Sequence, residues 1–118
     1  MKDLRTAARG LSKPRWETLF KPEDVDLEVE LVPSEMPDFA TQKLLGRSSE
    51  AIDRDVCERS FVNFRGKSWA NEDGTPVENT LDARLEIYGV YAIRKAIQNA
   101  LEAANYEIIV GETEGASD

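Results

Sequence analysis

The 118-residue sequence contains no histidine and a single cysteine, Cys57. Most zinc and haem sites and most nucleophilic triads require histidine or clustered cysteine, so these classes of centre are excluded. A lone thiol also excludes a disulfide within the chain. We therefore predict that the protein is not an enzyme and holds no cofactor or metal ion.

Long hydrophobic runs are absent as well. No stretch approaches the roughly eighteen consecutive apolar residues that a membrane span needs. The first twenty residues contain no continuous apolar segment of the signal-peptide type. We therefore expect no membrane partner, and we expect the protein to stay in the compartment where it is synthesised.

Apolar residues make up 41% of the chain and charged residues 32%, proportions that favour a folded core over a disordered chain. The length fits one domain. We predict a flexible basic arm over residues 1–13, a single α+β domain over residues 14–111, and a disordered acidic tail over residues 112–118.

The formal net charge of -8 is unevenly distributed along the chain. Residues 1–21 contain six basic and two acidic side chains, a net charge of +4, so the remaining residues carry -12. A body with this charge repels nucleic acid phosphates, and we expect no direct nucleic acid binding. The basic arm either attracts an acidic surface or is a solvated tail, and the sequence leaves both interpretations open.

A compact apolar group follows the arm and consists of Trp16, Leu19 and Phe20. We interpret it as the group that docks the arm on the core. The alternative is an exposed anchor for a partner, because aromatic side chains are enriched in interfaces.

Residues 25–32 alternate between apolar and acidic side chains. This period of two predicts a half-buried strand whose solvated face carries Asp26, Glu28 and Glu30. On an edge strand these acids would discourage pairing with another chain, which is the interpretation we prefer. The alternative is that they contact a basic partner.

The next segment contains signals for two helices. Asp38 is predicted to cap a short helix over residues 39–45 that Gly46 closes. Ser48 or Ser49 is predicted to cap a longer helix that continues to about Phe64.

The apolar stripe of the longer helix recurs at intervals of three and four residues and comprises Ile52, Val56, Cys57, Phe61 and Phe64. Because no histidine is available to deprotonate it, Cys57 is predicted to be a small buried hydrophobic residue.

Residues 61–76 form the pivot between the two halves of the chain. Asp73-Gly74 predicts a turn in which the glycine supplies a positive φ. A calcium loop is excluded because its first and twelfth ligand positions would be Trp69 and Thr80. We interpret Trp69 as the lid of the core, and alternatively as a partner contact.

Two further helical segments are predicted in the C-terminal half. Thr80 should cap the first, and Gly89 should bend or divide it. The second has an apolar face with helical spacing: Val90, Ile93, Ile97, Ala100, Leu101 and Ala104. This face packs either within the chain or on a neighbouring copy.

Residues 108–110 are predicted to form a terminal strand paired with residues 25–32. The fold class is therefore α+β, mainly helical, with a small antiparallel sheet or hairpin.

A series of short motifs runs from Trp16 to Tyr106. Its members are an acidic strand over residues 25–31, a helix that ends near the aromatic residues Phe61 and Phe64, Trp69, the turn Glu72-Asp73-Gly74-Thr75-Pro76, the cap Thr80, the early Arg84, and an amphipathic helix over residues 93–101. This series resembles the small tail assembly chaperones of tailed bacteriophages. The family more often has Trp-x-Gly, whereas here Phe64-Arg65-Gly66 precedes Trp69.

The resemblance implies a non-enzymatic role in the cytoplasm of an infected bacterial host. Such chaperones are thought to coat the helical tape-measure protein during tail assembly until tube subunits replace them. The implied partner is the tape-measure protein or another phage tail protein, together with self-association. The implied contacts are the Trp69 region and the face of residues 90–101.

A second hypothesis is a small acidic phage-encoded inhibitor that mimics nucleic acid and binds a basic protein surface through Asp26, Glu28, Glu30 and Glu35. A third is an enzyme that uses Asp53 and Asp55. Residues two apart point to different sides of a helix, so these carboxylates make a poor acid/base pair. Across the first two hypotheses, the candidate partner-binding residues are Trp69, Asp73, Tyr88, Tyr91, Asp26, Glu28 and Glu30.

Overall fold

The computed structural model describes residues 3–107. Its sheet has three antiparallel strands in the order β1-β2-β3. The strands are β1 (Arg15–Thr18), β2 (Glu28–Leu31) and β3 (Phe61–Arg65). The helices in this part of the chain are α1 (Leu4–Gly10), α2 (Phe39–Leu44), α3 (Ser49–Asp55), α4 (Leu81–Tyr88) and α5 (Tyr91–Tyr106).

Strand β2 forms because its sequence alternates apolar and acidic residues. Val29 and Leu31 are buried, while Glu28 and Glu30 face the other side. The predicted edge position is wrong: β2 is the central strand, with β1 on one side and β3 on the other. The acids of β2 therefore do not protect a free edge.

The polar residues that precede α2, α3 and α4 act as the predicted N-caps. The side chains of Asp38, Ser48 and Thr80 accept hydrogen bonds from backbone N–H groups in the first turns of these helices. Gly89 follows α4 and separates it from α5, which confirms the predicted division.

The helix predicted to continue to Phe64 ends much earlier. Helix α3 stops at Asp55, a π-helical turn covers Val56–Ser60, and the chain then enters β3. Pairing of β3 with β2 contains a β-bulge between Phe61 and Asn63, opposite Leu31 and Glu30. The bulge restores the inward orientation, so Phe61 and Phe64 are both buried although they lie three residues apart. A spacing of three residues also fits one face of a helix, which is why the sequence predicted a helix here.

One core joins the sheet and the helices. The inner face of the sheet shares it with α5 residues Ile93, Ile97 and Leu101, which are buried within the monomer. The Asn105 amide also donates to the Pro33 carbonyl (2.8 Å), which fixes the end of α5 against the turn after β2. The chain is thus an α+β domain with a small antiparallel sheet, as predicted.

The N-terminal segment contains more regular structure than the sequence suggested. Asp3 caps α1, Leu11 is buried, and the Ser34 N–H donates to the Leu11 carbonyl (2.9 Å). Leu19 and Phe20 pack against the core, as expected for a docking group. Trp16 instead lies in β1, on the face that also carries Glu30.

Parts of the predicted organisation lie outside the described residues. These are the terminal strand at residues 108–110 and the acidic tail at residues 112–118. Between residues 3 and 107, no helix combines the length and the apolar character needed to cross a bilayer.

A glycine fixes the turn after β3 and provides a stability test. Gly66 has φ +132°, and a Cβ there would lie 2.1 Å from the Asp26 carbonyl oxygen. Gly66→Ala should therefore lower the free energy of unfolding by ~3 kcal/mol or more, measured by urea denaturation. The control is Gly46→Ala, where φ is +79° but the space is open, with an expected loss of ~1 kcal/mol. Equal losses at the two positions would contradict the close approach of Gly66 to Asp26.

Candidate functional site

Residues 66–77, here called the Trp69 hairpin, project from the end of β3 as a short loop. Ala70 and Pro76 form an isolated antiparallel bridge. The Asn71 N–H donates to the Thr75 carbonyl, and the Gly74 N–H donates to the Asn71 carbonyl, each at 2.9 Å. Gly74 has φ +86°. The predicted turn at Asp73-Gly74, with glycine supplying the positive φ, is confirmed.

The carboxylate of Asp73 is used inside this turn. Asp73 Oδ1 accepts from the Thr75 hydroxyl (2.7 Å) and from the Thr75 N–H (3.0 Å). These hydrogen bonds, chiefly the one from the hydroxyl, lower the pKa of Asp73. Asp73 therefore shapes the hairpin, in contrast to the direct partner contact suggested by the sequence.

Trp69 is half-buried, packs against the core, and lies between two open depressions. The first, here called the basic depression, has a volume of about 290 Å³ and includes Phe64, Arg65, Lys67, Trp69, Pro76 and Val77 among its lining residues. The second, here called the acidic depression, has a volume of about 410 Å³ and includes Ser68, Trp69, Asn71, Glu72, Val77 and Glu86. Trp69 and Val77 thus supply apolar surface to both sides.

The two depressions differ in charge. Arg65 and Lys67 border the first, whereas Glu72 and Glu86 border the second. Within residues 3–107, neither glutamate has an ion-pair partner. An apolar ridge with a basic border on one side and an acidic border on the other suits an amphipathic segment of a partner.

Arg65 connects the hairpin to the outer face of the sheet. Its guanidinium lies 3.9 Å from the centroid of the Trp16 ring and forms an ion pair with Glu28 (3.3 Å). The sequence interpretation of Trp16 as part of the docking group is therefore corrected. Trp16 stacks with a cation on the face opposite the core.

The acids of the β2 segment do not form a free acidic row. Asp26 Oδ2 accepts from the Lys67 N–H (3.0 Å), and Glu28 pairs with Arg65. Glu30 is half-buried between Trp16 and Asn63 in the strand register. Asp26 and Glu28 thus hold the start of the hairpin to the sheet.

The two tyrosines predicted as contacts occupy opposite environments. Tyr88 is fully buried, and its hydroxyl accepts from the Gln98 side chain (2.9 Å). Burial raises its pKa. A partner contact at Tyr88 is therefore corrected to a core role. Tyr91, at the start of α5, is 72% exposed and remains available.

The same burial applies to the α5 face. Ile93, Ile97 and Leu101 are covered by the chain's own core, so the predicted contact over residues 90–101 is not an open surface.

Of the sequence-predicted site residues, the structure brings together Trp69, Asp73, Asp26 and Glu28 at or beside the hairpin. Tyr91 and Glu30 do not line either depression.

The groups with catalytic potential are occupied by structural contacts. Desolvation by burial, reinforced by the nearby Asp53 carboxylate, raises the pKa of Cys57 to about 12. Asp53 pairs with Arg94 (2.7 Å), while Asp55 pairs with Arg47. The two carboxylates point to different partners, as their spacing predicted. No group of three or more metal-ligating side chains occurs in the part of the chain that the structure describes.

Sequence reasoning missed the charged borders of the hairpin. The sequence placed Arg65 and Lys67 in the segment after a predicted helix end near Phe64, and only the strand pairing of residues 61–65 positions Arg65 beside Trp16. Glu86 reaches the acidic depression from α4, a contact between residues far apart in sequence. The apolar–polar alternation of Val62-Asn63-Phe64-Arg65 was a local signal for a strand.

Comparison with protein-family models, with curated proteins and with solved structures finds no match to this chain.

The burial of Cys57 generates a testable prediction. Because the thiolate is the reactive species, a thiol whose pKa is about 12 should react with iodoacetamide at pH 8 at least about a hundredfold more slowly in the folded protein than in urea. Mass spectrometry of the time course measures this ratio. Equal rates in both conditions would contradict a buried, protonated thiol.

Proposed function

We propose that this protein acts without catalysis by binding another protein, and that it assists tail assembly in a tailed bacteriophage as a chaperone of the tape-measure protein. The observation that carries the binding role is the position of Trp69 between two depressions of opposite charge. The phage role is supported by the resemblance of the motif series, since the Asp-Gly turn and the Thr80-capped helix form the hairpin and the element that follows it.

The proposed mode of binding is a helix laid along the Trp69 hairpin. An amphipathic helix presents apolar residues at intervals of three and four, and Trp69 and Val77 would contact them. Lys67, which has no ion-pair partner within residues 3–107, would face acidic side chains of the partner, with the Glu28-paired Arg65 beside it. A tape-measure helix has to be kept from aggregating before the tail tube forms, and covering its apolar face at such a ridge would achieve this.

The proposal places the protein in the cytoplasm of the infected bacterial host, where tails assemble. The excess of acidic over basic residues supports the chaperone role, because a net charge keeps a chaperone with a bound apolar client from aggregating. Catalysis has no role in this account.

The acidic-inhibitor hypothesis receives less support from the geometry. It requires Asp26, Glu28, Glu30 and Glu35 to present free carboxylates, but Asp26 accepts from the Lys67 backbone N–H, Glu28 pairs with Arg65, and Glu30 is half-buried. Salt distinguishes the hypotheses. Binding through a row of acids weakens steeply as salt rises, whereas binding through an apolar ridge does so less.

The proposal predicts a specific loss on truncating the tryptophan. Trp69→Ala should weaken binding to the proposed tape-measure partner at least about tenfold, because it removes the central aromatic contact. The measurement is isothermal titration with a soluble tape-measure fragment, together with the yield of soluble tape-measure protein on co-expression.

The matched control is Tyr106→Ala, which removes an aromatic side chain that is 64% exposed at the end of α5. It should leave the affinity unchanged. Since Trp69 also contacts the core, Lys67→Glu provides a second variant with an exposed side chain, and it should weaken binding without loss of folding. Unchanged affinity in both Trp69→Ala and Lys67→Glu would contradict the proposed surface.

A further inference from the structure

Helix α1 presents basic side chains that the rest of the described structure does not neutralise. Arg5 and Arg9 lie four residues apart, which places them on one side of the helix, and both are exposed. Neither has an ion-pair partner within residues 3–107. Leu4, next to Arg5, is an apolar side chain that is 51% exposed. The helix thus exposes one apolar residue and two cations.

The acidic depression has the complementary arrangement. Its apolar surface comes from Trp69 and Val77, and its border carries Glu72 and Glu86. Asp82 precedes Glu86 by one helical turn on α4 and is also exposed. None of the three acids is ion-paired in the part of the chain described here.

These two surfaces lie at opposite ends of β2. The chain after β2 contacts the end of the α1 segment, where the Ser34 N–H donates to the Leu11 carbonyl. The chain before β2 contacts the hairpin, where the Asp26 N–H donates to Ser68 Oγ (2.7 Å). The four residues of β2 alone separate these contacts by ~13 Å. No residue of α1 lines the acidic depression of its own chain.

We propose that α1 of one copy docks in the acidic depression of a second copy. In this contact Leu4 lies against Trp69 and Val77, while Arg5 and Arg9 face the acids that border the depression. The occupant is a second copy because the basic N-terminal region and the acidic remainder belong to the same chain, with net charges of +4 and -12. Two copies that each carry a net charge of -8 repel one another in most orientations. The orientation that brings the basic α1 of one copy to the acidic depression of the other is favoured, because the charges there are opposite.

The predicted association is weak and depends on salt. A seven-residue helix is only ~10 Å long and covers a small area. Exposed charge pairs are screened over a distance of about 8 Å at physiological salt. Association should therefore be clear at low salt and high protein concentration, and it needs no phage partner. Trp69 and Val77 also belong to the proposed client surface, so the test uses Arg5, Arg9, Glu72 and Glu86, which the client experiment leaves unchanged.

Sedimentation equilibrium of the full chain tests the proposal. The association constant should fall at least about tenfold between about 0.05 M and about 0.5 M sodium chloride. At low salt, the double variant Arg5→Glu, Arg9→Glu should lose association at least about tenfold, and so should Glu72→Lys, Glu86→Lys, because each places like charges together. Both pairs of substitutions are at exposed positions, and circular dichroism checks that the variants fold.

Charge reversal also separates the proposed contact from an effect of net charge, because Glu72→Lys, Glu86→Lys reduces the net charge from -8 to -4, which by itself would strengthen association. Mixing the two double variants, or combining all four substitutions in one chain, should restore the association constant to within about threefold of the original. The controls Lys43→Glu and Glu102→Lys alter exposed charges away from both surfaces and should have little effect. A monomeric chain at low salt would overturn the proposal. So would association that persists in the double variants, or a mixture that fails to associate.

Discussion

The close approach of Gly66 to the backbone of Asp26 fixes the Trp69 hairpin to the sheet. A side chain at position 66 would occupy the same space as the Asp26 carbonyl, so the contact is open only to glycine. The hydrogen bonds between Asp26 and the residues Lys67 and Ser68 depend on this approach. Asp26 lies two residues before β2, which pairs with both of its neighbours, so these bonds attach the hairpin to the end of the central strand.

The second constraint is the β-bulge opposite β2, which allows Phe61 and Phe64 to enter the core together. It also determines which side chains remain outside. Arg65 emerges next to the hairpin, where it contacts both Trp16 and Glu28. The bulge thus buries Phe61 and Phe64 and also places Arg65 at the border of the basic depression.

The sequence predicted the features that depend on local chemistry. The caps at Asp38, Ser48 and Thr80 and the turn at Gly74 follow from side chains that bond to nearby backbone. The burial of Cys57 followed from its place in an apolar stripe. Features that depend on pairing between distant residues were missed. The three-residue spacing of Phe61 and Phe64 fits a helix as well as a bulged strand, and only contact with β2 distinguishes them.

The same division applies to the candidate site. Trp69 was identified from composition, because a large aromatic side chain beside a turn is either a lid or a contact. Its charged surroundings come from three separate elements, and no local pattern connects Arg65, Glu72 and Glu86. The sequence predicted Asp26 and Glu28 as part of a binding surface, but Asp26 is bonded to Lys67 and Glu28 to Arg65 within the chain. These partners lie about forty residues away in sequence, so no local pattern reveals them.

The central claim is that the protein works by binding a helix at the Trp69 hairpin. Hydrogen-exchange mass spectrometry of the protein alone and with the proposed partner, a tape-measure protein, tests this claim most directly. The account predicts that amides of residues 66–77 exchange more slowly in the complex, while those of α2 are unchanged. Protection confined to other segments, with no change at residues 66–77, would contradict it.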